Sequence, residues 1–93
     1  QLADSFTWPN VLNSLQVDSE YSILELAVPS SLAGRTLIEA DLRRRFGVSV
    51  LAVKDALRGN MIGIPDGNFR LTDDQILLIM GKQASLTKFR EVD

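Results

Sequence analysis

The residues best suited to chemistry in this chain are three consecutive arginines, Arg43, Arg44 and Arg45. A guanidinium is a planar, permanently charged fork that donates parallel hydrogen bonds to phosphate or carboxylate, so the chemistry open to the cluster is anion binding. Successive helical residues project about 100° apart, so the three cannot form one flat patch. One or two of them can still converge on a phosphate from each copy of a symmetric pair. The same residues also have a purely structural use. Bases near the end of a helix complement its dipole by about 0.3–1 kcal/mol each, and Glu39–Arg43 and Asp41–Arg45 have the i,i+4 spacing of ion pairs.

Other chemistry is thin. The chain has no histidine and no cysteine, which removes the commonest general base, the commonest metal ligand and all thiolate chemistry. Ser30-Ser31 has neither a histidine partner nor a Gly-x-Ser-x-Gly elbow. Gly59, Gly63 and Gly81-Lys82 fit neither a Walker loop nor a dinucleotide fingerprint. Asp73 and Asp74 supply two neighbouring carboxylates without the remaining ligands of a calcium cage. The expectation is a protein that is not an enzyme and holds no metal.

The elements that must position the arginines are legible around them. Thr36 and Glu39 have the spacing of a capping box, and Gly47 supplies a left-handed helix end. A helix over residues 37–46 is expected between them, with Ile38, Leu42 and Phe46 as its buried stripe. Because Leu37 and Ile38 are adjacent, both cannot face one core, and one of them is available for an interface. Residues 21–28 read as a first strand stopped by Pro29. Residues 48–53 read as a second, apolar on both faces, with Val48, Val50 and Ala52 on one. A polar loop over 55–60, a short strand over 61–64 and a Pro65–Asn68 turn come next. Residues 69–71 are extended, residues 76–80 form a last strand ended by Gly81, and residues 83–90 form a terminal helix. Ahead of all this, Trp8, Leu12 and Leu15 fall at i, i+4 and i+7, with Pro9 in the first turn, which predicts a connector helix within residues 1–19. The pattern is that of a small α+β domain, β-α-β-β-β-α, with a mixed sheet if the first β-α-β passage is a parallel crossover.

Ninety-three residues with 45% apolar content suit one domain. Ten bases against twelve acids leave a formal charge of −2, so no chain-wide field favours nucleic acid, and any anion site must be local. No apolar run approaches the roughly 20 residues of a membrane span. The chain opens at Gln1 in a polar-apolar arm and reads as a piece of a longer protein, with residues 1–19 the connector and 20–93 the domain.

Residues 21–89 resemble the TrkA-C domain, the C-terminal lobe of RCK (regulator of potassium conductance) domains. The resemblance is carried by Ile23-Leu-Glu-Leu-Ala-Val-Pro29, Leu32-Ala-Gly-Arg-Thr-Leu37, Asp41-Leu-Arg43, Phe46-Gly-Val48, Val50-Leu-Ala-Val53, Ile64-Pro65 and Asp74-Gln-Ile-Leu-Leu-Ile-Met-Gly81. Thr72-Asp-Asp74 replaces the usual turn ending in Gly-Asp, and the loop over 54–60 is longer than is customary in that family.

The resemblance implies a cytoplasmic regulatory subunit that forms a homodimer and passes ligand occupancy to the membrane subunit of a potassium channel or transporter. Some members bind cyclic di-AMP between two such lobes. Carried onto this sequence, Leu37 and Ile38 would contact an adenine, Arg43 a phosphate, and Val50 and Pro65 the bases. Ser49 stands where those members commonly place asparagine, and Phe46 where they often have tyrosine or histidine. NAD or ATP would belong to an N-terminal lobe outside these residues. The alternative is a structural dimerisation module of another cation transporter or antiporter, without a ligand of its own.

Overall fold

A computed structural model describes residues 11–92. Five strands form one sheet: β1 (Val11–Gln16), β2 (Tyr21–Ala27), β3 (Ser49–Asp55), β4 (Met61–Gly63) and β5 (Gln75–Lys82). Three helices, α1 (Leu37–Ala40), α2 (Leu42–Phe46) and α3 (Gln83–Arg90), and a 3₁₀ turn at Ser30–Leu32 complete the described residues. The strand order is β1-β2-β5-β3-β4. The α+β class holds.

Every strand pairing is antiparallel, which corrects the expectation of a mixed sheet. The β2–α–β3 passage does return a parallel strand, but β5 inserts between the two, so no parallel pair forms. Residues 11–16 are an edge strand rather than part of a connector helix. Leu15 pairs with Ile23 and Gln16 with Ser22, so these backbone groups are satisfied by a neighbouring strand instead of within one turn. Trp8 and Pro9, on which the helical reading leans, lie outside the described residues.

One face of the sheet carries the core. Leu24 and Leu26 of β2, Leu77 and Ile79 of β5 and Val53 of β3 pack beneath Leu32, Ala40, Leu42, Leu71, Leu86 and Phe89, all buried. A bulge at Leu51 breaks the simple alternation of β3. Val50 pairs with Ile79 on the core face, whereas Ala52 pairs with Leu78 on the other; the sequence pattern places both together. The extra residue of a bulge reverses the facing of the residues after it. On the open face, Lys54 Nζ lies 2.9 Å from Glu25 Oε2, linking β3 to β2 across the intervening β5.

Gly81 does not end the last strand. Ser22 pairs with Gly81 and Tyr21 with Lys82, so β5 runs on into α3. The glycine is there for proximity: a Cβ would lie 3.2 Å from Val48 Cγ1 and 3.3 Å from the Gly47 carbonyl oxygen. Buried Ser22 is satisfied by Gln83 Nε2, which donates to its Oγ at 3.0 Å.

The predicted long helix is broken in two. Its capping box is present, with Thr36 Oγ1 accepting from Glu39 N and Glu39 Oε1 accepting from Thr36 N. Gly47 closes it in the left-handed region at φ 80°. Between them Asp41 is also left-handed, at φ 52° and ψ 48°. Core packing supplies the reason. Ala40 and Leu42 are both buried, at 0% and 4% exposure, yet positions two apart on a continuous helix point to nearly opposite sides. The turn at Asp41 re-aims Leu42 onto the sheet. Burying a leucine gains about 1.5–3 kcal/mol, which outweighs a left-handed residue at about 1–2 kcal/mol, less for aspartate. The Ile38–Leu42–Phe46 stripe is corrected accordingly: Ile38 is 65% exposed.

Ile64 is the second non-glycine residue at positive φ, at 45°. It turns the chain out of β4, and its N–H donates to the Leu51 carbonyl at 2.8 Å. A β-branched residue tolerates this backbone poorly, and the following Pro65 restricts it further. Its side chain is 83% exposed, so little packing is lost with it. Ile64→Gly is expected to raise stability by about 1 kcal/mol in urea denaturation; a lower midpoint would contradict the left-handed assignment.

Candidate ligand-binding groove

The break at Asp41 sends the three arginines to three different places. Arg44 Nε contacts Asp41 Oδ2 at 2.7 Å. Arg45 Nη1 donates to the Ala40 carbonyl at 3.1 Å, and its guanidinium carbon lies 4.9 Å from the centre of the Phe46 ring. Among the described residues, Arg43 is held only by a long contact, 3.4 Å from its Nη2 to Ser49 Oγ, at the weak end of hydrogen bonding. The Glu39–Arg43 and Asp41–Arg45 pairs expected from spacing do not form among the described residues, because they require one continuous helix. Two arginines therefore serve the fold, and Arg43 is loosely held.

Arg43 lies at the edge of a groove of about 200 Å³ lined by Leu37, Leu42, Arg43, Val48, Ser49, Val50 and Pro65. Each wall has a separate local cause. The capping box starts α1 and sets Leu37, the Asp41 turn swings Leu42 and Arg43 round, and Gly47 sends the chain back into β3 with Val48, Ser49 and Val50. The left-handed Ile64 delivers Pro65 from the opposite side. Its lining side chains are apolar apart from one guanidinium and one hydroxyl, while about half of its exposed surface is polar, a mix that suits a planar group attached to an anion.

Five of the seven residues named from sequence, Leu37, Arg43, Ser49, Val50 and Pro65, are brought together here. Two are not. Ile38 lies outside the lining, over Gly67, where a Cβ would come within 2.5 Å of its Cγ1. Phe46 points to the other side of α2 and packs edge-on against Phe89, with ring centroids 5.2 Å apart at 72°. Leu42 and Val48 line the groove although the sequence does not single them out for it. Periodicity assigns both to packing, and a residue that is core on one side and groove on the other carries no separate sequence signal.

A second groove, of about 490 Å³, adjoins the first and shares Arg43 and Ser49 with it. Its other walls are Val17, Asp18, Tyr21, Gly47, Met80 and Gly81. Asp18 Oδ1 accepts from the N–H groups of Glu20 and Tyr21, both at 2.8 Å. Those two donors, Tyr21 first, hold the carboxyl below its ordinary range. Among the described residues, no group of three or more histidine, cysteine, aspartate or glutamate side chains is placed to hold a metal ion.

The TrkA-C domain family matches residues 22–92. The chain belongs to the TrkA-C domain family. It is 28% identical over 92 residues to Ktr system potassium uptake protein C of Bacillus subtilis (strain 168), covering 98% of this chain and 40% of that protein. The chain thus spans about two fifths of the length of that relative. Among solved structures, the RCK domain of GsuK superposes with a TM-score of 0.75 at 26% identity, covering 89% of this chain and 18% of that one. The RCK C domain of the potassium transport protein KtrA, solved in complex with cyclic diadenosine monophosphate, superposes with a TM-score of 0.70 at 30% identity. That match covers 76% of this chain and 81% of that one.

The depressed carboxyl of Asp18 gives a signed expectation. A group whose folded pKa lies below its unfolded value adds stability above the unfolded pKa and loses it as pH falls through the folded one. NMR titration of the side-chain carboxyls is expected to show Asp18 protonating at a lower pH than an unperturbed aspartate. A value in the ordinary range would mean that the two backbone donors are absent in solution.

Proposed function

We propose that this chain is a regulatory, ligand-binding and dimerisation domain of a potassium transport system, and that its ligand is a small anionic nucleotide of the cyclic di-AMP class. The observation that carries this reading is Arg43, the loosely held member of the arginine run, standing over a groove walled by Leu37, Leu42, Val48, Val50 and Pro65. The reading is supported by the Ktr relatives and by the KtrA domain solved with that dinucleotide.

Groove size bears on stoichiometry. Pockets that enclose a ligand usually measure about 300–1,000 Å³, and this one holds about 200 Å³. One copy therefore offers part of a site, and a twofold-symmetric pair doubles it, placing two guanidiniums on one ligand. A ligand that bridges two copies favours the dimer geometry in which both grooves meet it. That population shift is how occupancy would reach a membrane subunit. No helix of the described residues is long and apolar enough to cross a membrane, and in this proposal the domain acts from the cytoplasm on a separate transporter subunit. No catalytic step is assigned to it.

The alternative, a dimerisation module without a ligand, is favoured by a different observation. Along β4 and its flanks, Leu57, Met61, Ile62 and Ile64 are 81%, 59%, 47% and 83% exposed, apolar side chains at a sheet edge that suit association independent of any nucleotide.

Calorimetry with cyclic di-AMP separates the two. The wild-type protein is expected to bind one ligand per two chains. Arg43→Ala should weaken binding at least tenfold, since a charge-assisted contact is worth about 1.5–3 kcal/mol. Phe46→Leu should lower stability but leave affinity within about twofold, because the ring faces Phe89. A dimer by light scattering with no heat of binding would support the module without a ligand.

A further inference from the structure

The two adjoining grooves meet at Arg43 and Ser49. In the smaller one, Arg43 is the only charged side chain of the lining among the described residues. In the larger one it shares the walls with a carboxylate, Asp18. The two charges differ in how they are held. Asp18 is fixed, because its Oδ1 caps the turn between β1 and β2 through the N–H groups of Glu20 and Tyr21. Arg43 is movable, its contact to Ser49 Oγ being 3.4 Å long. Lys82 has its ammonium 6.0 Å from the centre of the Tyr21 ring, so a second cation stands by the Tyr21 wall.

We propose that Asp18 is a positioning residue for Arg43 that competes with the anionic ligand: it draws the guanidinium toward the larger groove, and a ligand in the smaller groove must draw it back. The inference rests on the anion site assigned to Arg43 above. The physical basis is that an arginine with no firm partner among the described residues responds to a fixed opposite charge that shares its groove, and Asp18 is such a charge in the larger groove. Affinity then depends on the difference between two attractions for one guanidinium, and the attraction to Asp18 works against binding. Because the groove is open to solvent, the effect is modest and screened by salt.

The test uses cyclic di-AMP as the probe, titrated into wild type, Asp18→Asn and Asp73→Asn at low salt and at about 1 M salt. Asp18→Asn keeps an oxygen to accept from Glu20 and Tyr21. Asp73→Asn removes the same charge from the exposed turn before the far end of β5. Asp18→Asn is expected to bind on the order of twofold to threefold more tightly at low salt, and to match wild type at about 1 M, where the screening length falls to about 3 Å. Asp73→Asn should match wild type throughout. A gain in affinity cannot come from damage to the turn, and Asp18→Ser, which also retains an oxygen acceptor, serves should the amide variant fold poorly. Binding by wild type with equal or weaker binding by Asp18→Asn overturns the role of Asp18 and leaves the site intact. An equal gain in Asp73→Asn overturns it as well, because net charge alone would then explain the result. Absence of binding in every protein overturns the anion site itself, and this inference with it.

Discussion

The site depends on a single backbone constraint, the left-handed turn at Asp41. Without it Ala40 and Leu42 could not both be buried, and the three arginines would fan out from one continuous helix. With it, Leu42 enters the core, Arg44 reaches back to Asp41, and Arg45 caps the Ala40 carbonyl left open where α1 ends. The turn is thus held from both sides. What remains is Arg43, displaced toward β3 and, among the described residues, tied to nothing firmer than a hydroxyl.

Around that arginine the fold acts as a frame. Antiparallel pairing of β5 with both β2 and β3 makes a stiff floor, and the bulge at Leu51 leaves Val50 on the helix side, where it lines the groove. The strained Ile64 brings Pro65 across from the opposite edge. None of these features yields an enclosed cavity in one copy, which is why the functional proposal needs two. A guanidinium over an open groove with apolar side chains, with a fixed carboxylate in the adjoining groove, is suited to binding an anion reversibly.

Much of this architecture is legible in the residue order. Thr36 with Glu39, and Gly47, mark the helix ends because capping is local chemistry between residues three or four apart. The strands expected over 21–28 and 48–53, found at 21–27 and 49–55, and the helix at 83–90 show through their apolar periods, and five of the seven residues named from sequence line one groove. The misses share a cause. The break at Asp41 arises from what Leu42 must touch across the chain, and no local propensity reports that. The bulge at Leu51 and the passage of β5 through Gly81 are likewise settled by pairing with distant strands. Leu12 and Leu15 suit a helical period equally well, and only the neighbouring β2 decides in favour of a strand. Resemblance alone assigns Phe46 to the ligand; in the fold its ring packs edge-on against Phe89, a contact that no local spacing reports.

The central claim is that, of three adjacent arginines, Arg43 is the one whose partners among the described residues hold it most loosely, and the one that receives the anion. Guanidinium NMR of the Nε signals, recorded with and without cyclic di-AMP, addresses it directly. The account predicts that the Arg43 signal shifts and becomes more restricted on binding while those of Arg44 and Arg45 hold their positions. A response at Arg44 or Arg45 with Arg43 unmoved would contradict it.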